Sequence, residues 1–286
     1  MIQLATRQSL GLVRSQAEPG TEGGAWEEVG ARGEWRARHD WAVPVVAAQG
    51  ALHDGSTSLA THHFLPVFSI KLCGIRSLEE AAQAIAAGPD AIGLNFFAKS
   101  RRYVAPDMAA QIVRELPTGI SSVALFVNSS LGEIRLISDA IKIDYLQLHG
   151  DESPEQMAEI ASLGIPIVRA MRLGELPDID AYLARCLELG VLPAGILLDA
   201  VSPGQYGGTG QLADWGEASR WHEVVQRPPM ILAGGLVPEN VADAVRVVRP
   251  FGVDTASGIE TAGVKDPAKM RSFVLNARTA LEAARR

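Results

Sequence analysis

The sequence predicts an α/β fold, a (β/α)8 TIM barrel, over residues 67–286. Three observations carry that prediction. Apolar, β-branched runs of strand length recur eight times from Phe68 onward. Segments of helical periodicity lie between them, and strict strand–helix alternation implies parallel strands buried on both faces. Several runs end in polar or small residues, and the C-terminal strand ends are where barrels place their chemistry.

The elements follow in order. "FSIKL" is the first strand; it reaches Cys73 and breaks at Gly74. "SLEEAAQAIAAG" is the first helix, opening on Ser77 with Glu80 three residues later and stopping at Gly88. "AIGLNF" is the second strand. "APDMAAQIVRELP" then puts Ile112, Val113 and Leu116 on one helix face and stops at Pro117. "VALFV" and "YLQLH" are strands three and four, and "SPEQMAEIASLG" follows with the same helix grammar. "IVRAM", "GILLD", "MILAGG" and "GVDTASG" complete the eight, with the helix "VPENVADAVRVVRP" before the last. An open doubly wound sheet is the alternative. It usually has fewer strands, and no G-x-G-x-x-G follows the first one.

Residues 1–66 have a different character. "AEPGTEGGAWEEVGARGEWRARHDW" is rich in Gly, Arg and Glu and keeps neither strand nor helix period. Trp26, Trp35 and Trp41 lie here, with His39, His53, His62 and His63. A metal site on His62 and His63 is disfavoured, because adjacent side chains point apart and no carboxylate or cysteine sits at ligand spacing. The expectation is a poorly ordered extension. A second reading is a mis-assigned start, with translation beginning near Val67, since no methionine lies between Met1 and Met108. Intact mass of the native protein decides between them. No signal peptide is read at the N-terminus, and Glu18, Glu22, Glu27 and Glu28 argue against an organelle presequence.

Composition narrows the function. A net charge of −7 argues against a general binder of nucleic acid or of membrane surfaces. Two cysteines, Cys73 and Cys186, are too few for a disulfide framework or a four-cysteine zinc site, and the expected location is the cytoplasm. No apolar stretch approaches the roughly 20 residues of a membrane span.

The predicted strand ends are Cys73, Asn95, Val127, His149, Arg169 with Met171, Asp199, Gly234 with Gly235, and Ser257 with Gly258. The last two loops, "LAGGLVPENV" and "DTASGIETAG", are small-residue turns where barrels often bind phosphate. A phosphate ester is therefore the expected substrate. Cys73 and Asp199 end strands one and six, so one can take a proton while the other gives one. Cys73 reads equally well as a small buried hydrophobe. Lys71 is placed on the opposite side of the strand and is set aside as the group that favours a Cys73 thiolate. Arg101 and Arg102 follow strand two, where an arginine can hold a carboxylate with two parallel hydrogen bonds; solvated loop charge is the alternative. Cys186 lies in a helical pattern and reads as structural.

Taken together, "KLCGIRS", "GLNFFAKSRRYVAP", "ALFVN", "LQLHGDE", "LLDA", "YGGTG", "DW", "AGGLVPENV" and "VDTASGIE" occur in the order of the phosphoribosylanthranilate isomerase family, which this chain resembles from about Phe68 onward. The resemblance implies a metal-free barrel without cofactor that catalyses an Amadori rearrangement in tryptophan biosynthesis. It implies that Asp199 is the general acid, Cys73 the general base and Arg102 the anchor for the anthranilate carboxylate. Gly234, Gly235, Ser257 and Gly258 match the phosphate loops, with Asp254 in support. A phosphorylated small molecule is the implied partner, with neither nucleic acid nor membrane, and a monomer or homodimer is expected. Gln211 and Ala213 depart from the family pattern, which commonly has Lys and Phe there. The related sugar-phosphate isomerase of histidine synthesis is the competing enzyme, but that family has an aspartate where this chain has Cys73. A catalytically silent phosphate-binding barrel is the non-enzymatic alternative, and the presence of both candidate catalytic residues argues against it.

Overall fold

The computed structural model describes residues 67–172, 176–199, 215–224 and 228–286. The expected extension over 1–66, and the departures Gln211 and Ala213, lie outside the described residues. Strands β1 (Ile70–Cys73), β2 (Ala91–Asn95), β3 (Ser121–Phe126), β4 (Tyr145–Leu148), β5 (Ile167–Arg172), β6 (Gly195–Asp199), β7 (Met230–Leu232) and β8 (Gly252–Thr255) form a closed barrel in sequence order. Neighbouring strands are parallel, and β8 closes on β1 with Lys71 opposite Asp254 and Leu72 opposite Thr255. The predicted alternation is what the chain folds into. Helices α1 (Leu78–Ala87), α2 (Pro106–Arg114), α3 (Leu131–Ala140), α4 (Pro154–Ala161), α5 (Leu176–Glu188), α6 (Trp215–Ser219), α7 (Val241–Val248) and α8 (Pro267–Ala284) follow the strands in turn. A short hairpin, β9 (Glu260–Thr261) and β10 (Val264–Lys265), lies between β8 and α8.

Apolar burial divides into two layers. Ala91, Val123, Val168, Leu197 and Ile231 pack inside the barrel. Ile70, Leu72, Ile92, Leu146 and Ile196 face the helix layer, where Ile112, Ile134 and Phe273 meet them. The strands are therefore buried on both faces, as a parallel sheet wrapped by helices requires.

Local capping sets the helix starts. Ser77 accepts from the Glu80 amide, while the Glu80 carboxylate reaches back to the Arg76 amide at 2.7 Å. Ser130 with Glu133, and Ser153 with Gln156, form reciprocal capping boxes at α3 and α4. Helix α2 ends at Arg114, three residues before Pro117. Two predicted strands are shorter than their apolar runs. Gly234 and Gly235 have φ of +85° and +65°, which no strand accommodates, so β7 stops at Leu232 and the chain turns. Past Thr255, residues Ser257–Ile259 form a 3-10 turn. No helix among the described residues is long and apolar enough to cross a membrane.

Candidate active site

A cleft opens at the C-terminal ends of the strands. Its walls are Cys73, Asn95, Phe97, Arg102, Leu125, Val127, Gln147, His149, Asp199, residues 233–236 and residues 254–257. Cys73, Asp199, Arg102, Gly234, Gly235, Ser257 and Asp254 are thus brought to one cavity. Gly258 is not on its wall. A Cβ there would collide with the Leu236 carbonyl, and Thr255 Oγ1 donates to that same carbonyl at 2.8 Å. Gly258 therefore serves the close packing of the two glycine-rich loops. Arg169 and Met171 also leave the cleft: Arg169 pairs with Glu152 at 3.0 Å, and Met171 packs in the helix-facing layer.

Cys73 is buried at the end of β1, with Leu125 and Val127 beside it. Gly93 on the neighbouring strand leaves room for it, since a Cβ there would come within 2.6 Å of the sulfur. Lys71 corrects the sequence reading. Side chains two residues apart on a strand share a face, so Lys71 points into the barrel with Cys73. It is fully buried and holds Asp254 Oδ1 at 2.7 Å. Burial lowers the Lys71 pKa, but Asp254 and Cys73 together outweigh it and leave it above the ordinary lysine value. Burial pushes the Cys73 thiol up, and the Lys71 charge opposes this without cancelling it. Asp254→Asn would strand the Lys71 ammonium in the interior. The expected result is a loss of about 3–5 kcal/mol in unfolding free energy, read by urea titration followed by circular dichroism. A loss below about 1 kcal/mol would show that Lys71 finds another partner.

Asp199 ends β6 and meets His149, the residue after β4, with Nε2 to Oδ2 at 3.3 Å. The Gln147 side-chain nitrogen lies 2.9 Å from His149 Nδ1. An amide that donates to Nδ1 leaves Nε2 to donate to a carboxyl oxygen of Asp199. His149 appeared in the sequence reading only as a strand-end residue. Its contact with Asp199 depends on two strands that are not adjacent in the barrel.

Arg102 is buried although it lies in the loop after β2, whereas 63% of the Arg101 side chain is exposed. Gly74, at φ +79°, leaves space for the Arg102 side chain, which a Cβ would meet at 2.5 Å. Arg102 Nε and Nη2 donate to Glu260 Oε1 and Oε2 at 2.6 and 3.0 Å. One edge of the guanidinium is therefore taken, and the end edge, Nη1 with the second Nη2 hydrogen, is left for a ligand. Burial works against ionising Glu260. The Arg102 bonds and the Lys265 charge outweigh it and hold its pKa below the usual carboxylate value. The sequence reading missed Glu260, whose partner is 158 residues away.

The two glycine-rich loops are built as small-residue turns. Thr255 Oγ1 and the Asn240 side chain tie them, the latter accepting from Val237 N at 2.8 Å and donating to the Gly235 carbonyl at 3.0 Å. Among the described residues, the backbone N–H groups of Gly234, Gly235 and Ser257 have no protein acceptor. Such groups suit an anion.

Comparison with known proteins shows the family of the barrel. The family described as N-(5'phosphoribosyl)anthranilate (PRA) isomerase matches residues 70–276. The N-(5'-phosphoribosyl)anthranilate isomerase of Geotalea uraniireducens is 43% identical over 212 residues, 73% of this chain and 98% of the relative. The crystal structure of phosphoribosyl anthranilate isomerase from Thermotoga maritima superposes with a TM-score of 0.65 at 34% identity, covering 74% of this chain and 100% of that one. A structure of phosphoribosyl anthranilate isomerase in complex with reduced 1-(o-carboxyphenylamino)-1-deoxyribulose 5-phosphate superposes at 0.62 with 33% identity, again covering 74% of this chain and 100% of that one. This chain belongs to the N-(5'-phosphoribosyl)anthranilate isomerase family.

Proposed function

We propose that this protein isomerises N-(5'-phosphoribosyl)anthranilate to 1-(2-carboxyphenylamino)-1-deoxyribulose 5-phosphate, the Amadori step of tryptophan biosynthesis. The observation that carries the reading is the placement of Cys73 and Asp199 on one cleft with Arg102 and both glycine-rich turns. Asp199 gives a proton to the furanose ring oxygen as the C1'–O bond breaks, and the anthranilate nitrogen supplies the electron pair that forms the Schiff base. The Cys73 thiolate takes the C2' proton, and the electrons of that C–H bond neutralise the iminium to give an enolamine. Tautomerisation of the enolamine gives the ketose.

Each of the substrate's two anionic groups has a fitting partner on the cleft wall. The phosphate fits the amides of Gly234, Gly235 and Ser257, and the carboxylate fits the open edge of Arg102. Acid, base and anion anchors are all side-chain or backbone groups, so the scheme calls for no metal or cofactor. A cytoplasmic enzyme, monomeric or homodimeric and without nucleic-acid or membrane partners, fits the same reading.

The test is loss of anthranilate-type fluorescence with purified protein, with and without chelator, and with the histidine-pathway substrate run beside it. Turnover of only the anthranilate substrate, unchanged by chelator, is expected. Turnover of only the histidine-pathway substrate would replace the assignment. In the same assay Arg102→Ala is expected to raise KM by about 10- to 100-fold, since a charge-assisted contact is lost. An unchanged KM would remove Arg102 from the substrate site.

A further inference from the structure

The β9–β10 hairpin carries two buried charges that the acid–base scheme does not use. Its turn residues Ala262 and Gly263 have φ of +51° and +80°, the paired positive values of a tight hairpin turn. The register sets Lys265 opposite Glu260. The base of the hairpin is tied to α8: Asp266 accepts from the Ala268 and Lys269 amides and from the Thr261 hydroxyl, the last at 2.7 Å. Lys269 adds a bond to the Glu260 carbonyl at 2.8 Å. Glu260 and Lys265 are thus held from both ends of the hairpin.

Lys265 Nζ donates to the Cys73 carbonyl at 2.6 Å, to the Ala256 carbonyl at 2.8 Å and to Glu260 Oε1 at 3.1 Å. An ammonium has three donors, and all three are met. The acceptors belong to three working parts of the cleft: the strand end bearing the base, the phosphate loop after β8, and the carboxylate that grips Arg102. An ion cluster of this kind is a poor means of stabilising a fold, because apolar side chains of similar volume often serve stability as well. Its use here is geometric.

We propose that Glu260 and Lys265 are positioning residues, Glu260 setting which edge of Arg102 faces the substrate and Lys265 locking Arg102, the phosphate loop and Cys73 to one another. The inference rests on the isomerase reading above. Its test uses competitive inhibition by two fragments, anthranilate and inorganic phosphate, with kcat and KM. Glu260→Gln keeps the side-chain shape and removes the charge. It should raise the anthranilate inhibition constant about tenfold and leave that of inorganic phosphate unchanged. Lys265→Met should raise both constants and lower kcat. A merely structural role would lower thermal stability and leave the ratio of the two constants alone. A folded Glu260→Gln variant with that ratio unchanged overturns the proposal, as does Lys265→Met with wild-type kinetics. If Lys265→Met does not fold, the Glu260→Gln ratio decides by itself. A wild-type protein that does not turn over removes the isomerase reading; an active wild type with unaffected variants removes only this inference.

Discussion

Asp199→Asn is expected to lower kcat by about 10²–10⁴-fold with little change in KM. Opening the furanose leaves an alkoxide unless a proton arrives as the C–O bond breaks, and Asp199 is the carboxyl on the cleft wall at the end of β6. Asparagine has nearly the same shape and can keep a bond to His149, which lies 3.3 Å from Oδ2. It has no proton to transfer. Binding of phosphate and carboxylate should therefore survive while the chemical step fails, and steady-state rates separate the two. A loss under tenfold would move the acid role elsewhere. His149 is the first place to look, because it touches Asp199 and lines the same cleft. On the present assignment His149→Asn costs less than Asp199→Asn, since it removes an orienting contact and leaves the acid in place.

The barrel was legible because each strand announces itself locally. A run such as "IKLC" is buried at all four positions and is followed at once by a capped helix. The site was legible where it depends on strand ends, as at Cys73 and Asp199, or on small-residue turns, as at Gly234 and Gly235. What escaped depends on pairs distant in sequence. Lys71 meets Asp254 across 183 residues, and Arg102 meets Glu260 across 158. Neither pair leaves a spacing to read. A lysine inside an apolar run does carry a signal, because strand parity alone puts Lys71 on the Cys73 side. Arg101 and Arg102 show a limit of another kind. Adjacent loop arginines look alike in sequence, and only packing buries Arg102 while leaving Arg101 largely in solvent.

Cys73→Ser should cost at least about 10²-fold in kcat/KM. Burial raises the Cys73 pKa, and the opposing charges of Lys71 and Lys265 do not bring it back to the ordinary value. The sign follows directly. A cysteine acting as base must be the thiolate, and below the thiol pKa its fraction grows tenfold per pH unit. The rate of alkylation by iodoacetamide, which follows the thiolate alone, should therefore climb through neutral pH and level off only above the usual cysteine value of about 8.5. A Cys186→Ser background leaves Cys73 as the one thiol. Removing Cys186 loses little as a control, because burial raises its thiol to about 11. Near-wild-type turnover in Cys73→Ser would assign the base to another group. A raised pKa is no obstacle to the role: a thiolate that burial makes costly is a stronger base once formed. Lys71, on the same face of β1 as Cys73 and paired with Asp254 of β8, favours that form, as does Lys265.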